Sequence, residues 1–159
     1  METEVLIARQ LITELLDRMG MKAEIDVFPG EEGLQVEIKG DREGILIGKH
    51  GRTLDSLQIV ISRMINRRSD KPVRVALDIN DYQKRRANML SQMALRFGEE
   101  VKKTGRVQTV GPFNARDRRI IHVALKEDAS LRTESFGEGE MKKIAILPNE
   151  RKESEGTPE

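Results

Sequence analysis

Gly48-Lys49-His50-Gly51 combines residue types suited to holding a phosphodiester. Two glycines lack a Cβ and let a phosphate approach the backbone. Lys49 supplies a cation, and unpaired amides at the start of a following helix favour negative charge. Arg52, directly after the turn, extends the same track, and His50 adds a donor toward phosphate or base. A second constellation is Arg118-Arg119-Ile120-Ile121-His122. Arg118 and His122 stand four residues apart, so on a helix they project from one face, one turn apart. A planar guanidinium fork and an imidazole so placed can grip a phosphate together, with Arg116 and Arg119 as auxiliary cations beside them.

The same residues fit catalysis poorly. Gly44-Ile45-Leu46-Ile47-Gly48-Lys49 has some likeness to a nucleotide-binding phosphate loop. However, only three residues separate its glycines, and His50 stands where a magnesium-binding Ser or Thr is needed. No Asp, Glu and His recur at metal-ligand spacing, and the chain has 2 histidines and no cysteine. The expectation is a binding protein with no catalytic residue, no metal site and no cofactor. A nucleotide hydrolase and a protein-interaction scaffold are the alternatives.

The elements that must position these residues can be read from periodicity. Leu54, Leu57, Ile61 and Ile65 recur at helical spacing after the turn, burying one face and leaving Arg52, Arg63 and Arg67 elsewhere. A first helix runs over 4–19, with Ala8, Leu11, Ile12, Leu15, Leu16 and Met19 as its apolar stripe. Strands follow over 21–27 and 34–38, joined by the turn-rich residues 28–33, and another strand lies over 73–79. The expected order is helix, strand, strand, helix, glycine turn, helix, strand. Ile45, Ile47 and Ile59 are candidate linings of an aliphatic groove beside the turn. A second unit starts with a long helix over 82–103, then a strand over 106–110 and a helix over 115–126. Two strands follow over 132–136 and 142–147. Tyr82 reads as a packing residue between the two units. From Asn149 on the chain is polar without an apolar anchor, so 149–159 is expected to be a disordered tail.

The 159 residues, with 37% apolar and 3% aromatic content, suffice for two modest aliphatic cores. The net charge of +1 hides a strong asymmetry. Residues 1–40 carry 4 basic and 9 acidic side chains, residues 41–126 carry 19 and 9, and residues 127–159 carry 5 and 9. Both constellations fall in the basic middle, as an electrostatic footprint for nucleic acid requires. No apolar run approaches a membrane span, and the N-terminus lacks a basic secretory start, so the cytoplasm is the expected location.

In this order the motifs resemble the bacterial Jag, or SpoIIIJ-associated, family. The carriers are Ile47-Gly48-Lys49-His50-Gly51 with Thr53 to Gln58, Asp78 with Tyr82 and Arg85-Arg86, Arg118 to His122, and Arg132 to Gly139. The resemblance covers about residues 1–148. It implies an α+β protein of two small domains, each a three-stranded sheet packed by helices: a type II K-homology domain over 1–80 and an Arg-xxx-His domain over 81–148. It also implies single-stranded RNA as partner at Gly48, Lys49, His50, Gly51 and Arg52. Arg118 and His122 would hold single-stranded RNA or DNA, and a second small K-homology protein would be a partner in post-transcriptional regulation. Two departures stand out. Family members commonly carry a further small domain before the first helix, where this chain begins. Arg116 also replaces an aromatic residue, with Phe113 or the Arg116 guanidinium as substitute for base stacking.

Overall fold

Alternating burial and helical stripes resolve into two units in the computed structural model, which describes residues 2–149. The chain divides between Lys84 and Arg85. In the first unit, helix α1 (Glu2–Arg18) precedes strands β1 (Glu24–Gly30) and β2 (Gly33–Lys39); helix α2 (Arg52–Asn66) and strand β3 (Arg74–Ile79) follow the glycine turn. The sheet order is β1-β2-β3, with β2 antiparallel to β1 and parallel to β3. Leu34, Val36 and Ile38 alternate inward along β2 and meet Ala8, Leu11, Ile12 and Leu16 of α1 and Leu54, Leu57, Ile61 and Ile65 of α2 in one core. Met19, expected on the stripe, is instead 44% exposed at the end of α1.

The expected turn over 28–33 is shorter than its composition implied. Phe28, Pro29 and Gly30 remain paired with Gln35, Leu34 and Gly33, leaving Glu31 and Glu32 at the tip. β1 is an edge strand, where a proline lacking an N–H is tolerated. The helix expected before the glycine turn is absent, and residues 41–47 form a run of turns.

The second unit contains helix α3 (Tyr82–Thr104), strand β4 (Gln108–Phe113), helix α4 (Ala115–Leu125) and strands β5 (Leu131–Phe136) and β6 (Lys142–Pro148). The division between units falls in the first turn of α3. The sheet is antiparallel throughout, ordered β4-β6-β5. Ile144 and Ile146 of β6 and Leu131 of β5 pack on Leu90, Ala94 and Val101 of α3 and Ile121 and Leu125 of α4. Each unit is therefore α+β, with its own three-stranded sheet and its own core. Asn149, expected to open the polar tail, is tied down: its amide donates to the Ser130 carbonyl at 2.7 Å and its side chain to the Ala129 carbonyl at 3.0 Å. The rest of that tail, 150–159, lies outside the described residues. Among the described residues no helix is long and apolar enough to cross a membrane.

The last turn of α3 is fastened by charge. Lys102 Nζ donates to Asp128 Oδ2 at 2.8 Å and lies 2.6 Å from Glu99 Oε1. The Lys102 bond, aided by the Ser130 hydroxyl and amide, holds the Asp128 carboxyl down at about 2. The same bond to Asp128, then that to Glu99, raises the Lys102 ammonium above its ordinary value. A carboxyl lowered by folding contributes stability above its unfolded value of 3.8 and loses it as pH falls through about 2. The raised ammonium contributes below 10.5 and loses its share as pH rises through the folded value. In an NMR titration, the Asp128 carboxyl should have its midpoint near 2 in the wild type and a higher one in Lys102→Met, still below the ordinary 3.8 because the Ser130 bonds remain. A midpoint unmoved by that substitution would assign the shift to Ser130 instead.

Candidate nucleic-acid interface

The glycine turn hangs on a carboxylate that periodicity does not reveal. Asp41 is 4% exposed, and its carboxylate accepts from the amides of Ile45 at 2.9 Å, Leu46 at 2.9 Å and Ile47 at 3.3 Å. Asn80, just past β3, bridges the same segment: its Oδ1 accepts from the Gly40 amide at 3.0 Å and its Nδ2 donates to the Asp41 carbonyl at 2.8 Å. These bonds replace the ladder that a helix over 41–47 would have made. Leu46 and Ile47 are drawn into the core, and Ile45 stays 54% exposed. Of the three candidate groove residues, Ile45 and Ile59 lie on the surface and Ile47 does not.

Lys49–Gly51 forms a single 3-10 turn whose residues 50 and 51 are left-handed, His50 at φ 56° and Gly51 at φ 79°. Gly48, at φ 69°, has no room for a side chain: a Cβ there would stand 2.1 Å from Thr53 Oγ1. A Cβ on Gly51 would stand 2.7 Å from Cε1 of Tyr82. The two glycines thus admit the chain's own side chains, and Gly51 is buried under the Tyr82 ring rather than open to a phosphate. Tyr82 itself packs against the first unit's core.

The helix-start amides are also committed. Thr53 and Leu54 both donate to the Ile47 carbonyl at 3.1 Å, Gly51 donates to Gly48 at 3.3 Å, and Arg52 donates to Lys49. An anion therefore finds these α2 amides occupied and meets the charged side chains of the turn. Lys49, His50 and Arg52 are all exposed, and among the described residues neither Lys49 nor Arg52 has a carboxylate partner.

In the second unit Arg118 and His122 do share one face of α4, and that face is turned toward the chain. Arg118 Nη1 donates to the Phe113 carbonyl at 2.6 Å and the Glu140 carbonyl at 3.1 Å, joining the end of β4 to the β5–β6 turn. Among the described residues its Nε and Nη2 donors meet no acceptor. His122 Nδ1 is hydrogen-bonded to Thr133 Oγ1, and its Nε2 lies 3.3 Å from Ser135 Oγ, so both ring nitrogens are engaged with β5. The pair forms no open phosphate fork; what remains for an anion is the unused side of the Arg118 guanidinium. Arg116 and Arg119 are exposed beside it. Phe113, a candidate for base stacking, is 8% exposed and belongs to the core.

Sequence reasoning also missed the support beneath α4. Asp117, 3% exposed, accepts from Arg86 Nε at 3.2 Å and Nη2 at 2.8 Å. Asn114 caps the same helix, its side chain accepting from the Asp117 amide at 2.9 Å.

Residues 7–77 match the model of the KhpA/KhpB KH domain, and residues 88–148 match that of the domain named for its Arg-xxx-His motif. The chain is 39% identical over 141 residues to the RNA-binding protein KhpB of Clostridium symbiosum, covering 87% of this chain and 64% of that protein. It is 30% identical over 145 residues to the RNA-binding protein KhpB of Lactiplantibacillus plantarum, covering 91% and 45%. It is 28% identical over 141 residues to the protein of that name in Bacillus subtilis, covering 87% and 68%. The chain thus spans 64% and 45% of the lengths of the first two relatives. With a KH domain of this kind followed by an Arg-xxx-His domain, the chain belongs to the Jag, or KhpB, family.

Proposed function

We propose that the chain binds single-stranded RNA without altering it, as a post-transcriptional regulator in the bacterial cytoplasm. The observation that carries this reading is the rigid turn at Gly48–Gly51. It presents Lys49, His50 and Arg52 to solvent, and Lys49 and Arg52 lack an acidic partner among the described residues. Such a turn suits the backbone of a few unpaired nucleotides, and a single strand leaves its bases accessible to the neighbouring exposed Ile45. The KhpB names of the relatives and the chain's match to the KH and Arg-xxx-His domain models support the same ligand. In the second unit, Arg118 through its unused donors, with Arg116 and Arg119, forms the other contact, and His122 keeps the helix seated. Single-stranded DNA is the alternative ligand there. Two weak contacts on one chain raise the affinity for a strand long enough to reach both.

The test is fluorescence anisotropy of labelled single-stranded RNA, single-stranded DNA and duplex at two salt concentrations. Wild type is compared with Lys49→Asp/His50→Asp, with folding monitored by circular dichroism. We expect single-strand binding that weakens with salt and falls at least about tenfold in the double variant, because two charges that met phosphate now repel it. Unchanged binding would refute the turn as the contact. Exposed Ile59 and Val60 on α2, 57% and 45% accessible, favour a second reading. In that reading α2 docks a partner protein, such as a second small KH protein.

A further inference from the structure

The face of the second sheet that turns away from the helices carries an aromatic ring that the fold does not use. Leu131, Thr133 and Ser135 point toward α4: Leu131 lies in the core and the two hydroxyls hold His122. By strand alternation Arg132, Glu134 and Phe136 point the other way, and all three are exposed. Phe136 is 47% exposed. The unit's other two rings are occupied: Phe113 is buried, and Phe97 packs on the core with the Arg96 guanidinium 5.6 Å over it. Opposite Phe136 in the antiparallel register stands Lys143, exposed and with no carboxylate partner among the described residues. Directly opposed side chains in such a pair lie about 5 Å apart at Cβ. That is close enough for one nucleotide to set its base on the ring and its phosphate at the ammonium. The hairpin carrying both residues is braced from its other face, by His122 at Ser135 and by Arg118 at Glu140.

Resting on the RNA-binding reading above, we infer that Phe136 and Lys143 form a nucleotide subsite, with Phe136 stacking on an unpaired base and Lys143 holding the adjoining phosphate. An exposed ring tolerates any base because every base has a π-face, so the subsite adds affinity with little sequence preference. Glu134 on the same face is paired with Arg132, which limits its repulsion of the strand.

The chain contains no tryptophan, so Phe136→Trp installs a unique fluorophore at the proposed stacking position. Titrating the full chain with a short single-stranded RNA should quench the emission of the introduced indole at the same midpoint as wild-type anisotropy. A control tryptophan introduced by Leu95→Trp, at an exposed position on α3, should stay unquenched. Phe136→Leu, which keeps an apolar surface residue, should weaken binding roughly tenfold at unchanged thermal stability. Lys143→Gln should weaken binding and lower its salt dependence by about one phosphate contact. If wild type binds RNA but the introduced tryptophan is not quenched and Phe136→Leu binds as wild type does, the subsite is refuted and RNA binding stands. If wild type binds no RNA, both readings fall.

Discussion

Asp117→Ala should unfold the second unit while leaving the first intact. The substitution removes the acceptor of two hydrogen bonds from the Arg86 guanidinium, whose side chain is only 12% exposed. Breaking a buried ion pair from one side costs about 3–5 kcal/mol. A unit of this size is stable by an amount of the same order, about 0.05–0.15 kcal/mol per residue. In a two-dimensional amide NMR spectrum the signals of β4, β5 and β6 should collapse to unfolded positions. Those of β1, β2 and β3 should persist, since the two cores share no residue. Replacing both partners, Arg86→Met with Asp117→Leu, should recover much of the loss, because no buried charge then remains. A double variant as unstable as Asp117→Ala would show that the pair's role is geometric rather than electrostatic.

The same residue illustrates what a sequence can and cannot carry. An aspartate three positions into a helix is readable as a partner of the helix dipole. Its burial against an arginine 31 positions away is not, since nothing local distinguishes it from an exposed one. By contrast the stripe Leu54, Leu57, Ile61, Ile65 announces its own burial, and all four are in the core. Strands β2, β5 and β6 were equally legible from alternation or from bounding glycines. The segment before the glycine turn misled because three successive apolar residues, Ile45, Leu46 and Ile47, carry no period, and Asp41 rather than a helical ladder satisfies their amides. Arg118 and His122 follow the same logic. Spacing shows that they share a face, and only the fold shows that β5 and the β5–β6 turn already occupy that face. Likewise Gly51 reads as an opening for a ligand until Tyr82, far along the chain, is found to fill it.

Asp41→Ala should loosen the glycine turn and, with it, RNA binding, even though every cation of the proposed contact remains. The carboxylate is the acceptor for three consecutive amides, two of them on the buried residues Leu46 and Ile47. Stranding a buried donor costs about 1–3 kcal/mol, and bonds to an ionised acceptor lie at the upper end of net hydrogen-bond strength. Partial access of water to Ile45 brings the expected total to about 2–4 kcal/mol. For a unit of this size that corresponds to a fall in melting temperature of roughly 10–20 °C. Asp41→Asn separates shape from charge. It preserves size and one acceptor oxygen but turns an NH2 toward either Ile45 or the Leu46 and Ile47 amides, so it should lose a substantial part of the same stability. Hydrogen exchange locates the effect: protection of the Leu46 and Ile47 amides should drop well beyond that of β2, whose ladder the substitution leaves in place. Under conditions where Asp41→Asn is still folded, RNA affinity should fall while its salt dependence stays that of the wild type, because the same cations meet the same phosphates from a less ordered turn. Protection and affinity both unchanged in Asp41→Asn would mean that the turn is held by Asn80 and the Gly48 and Gly51 conformations alone.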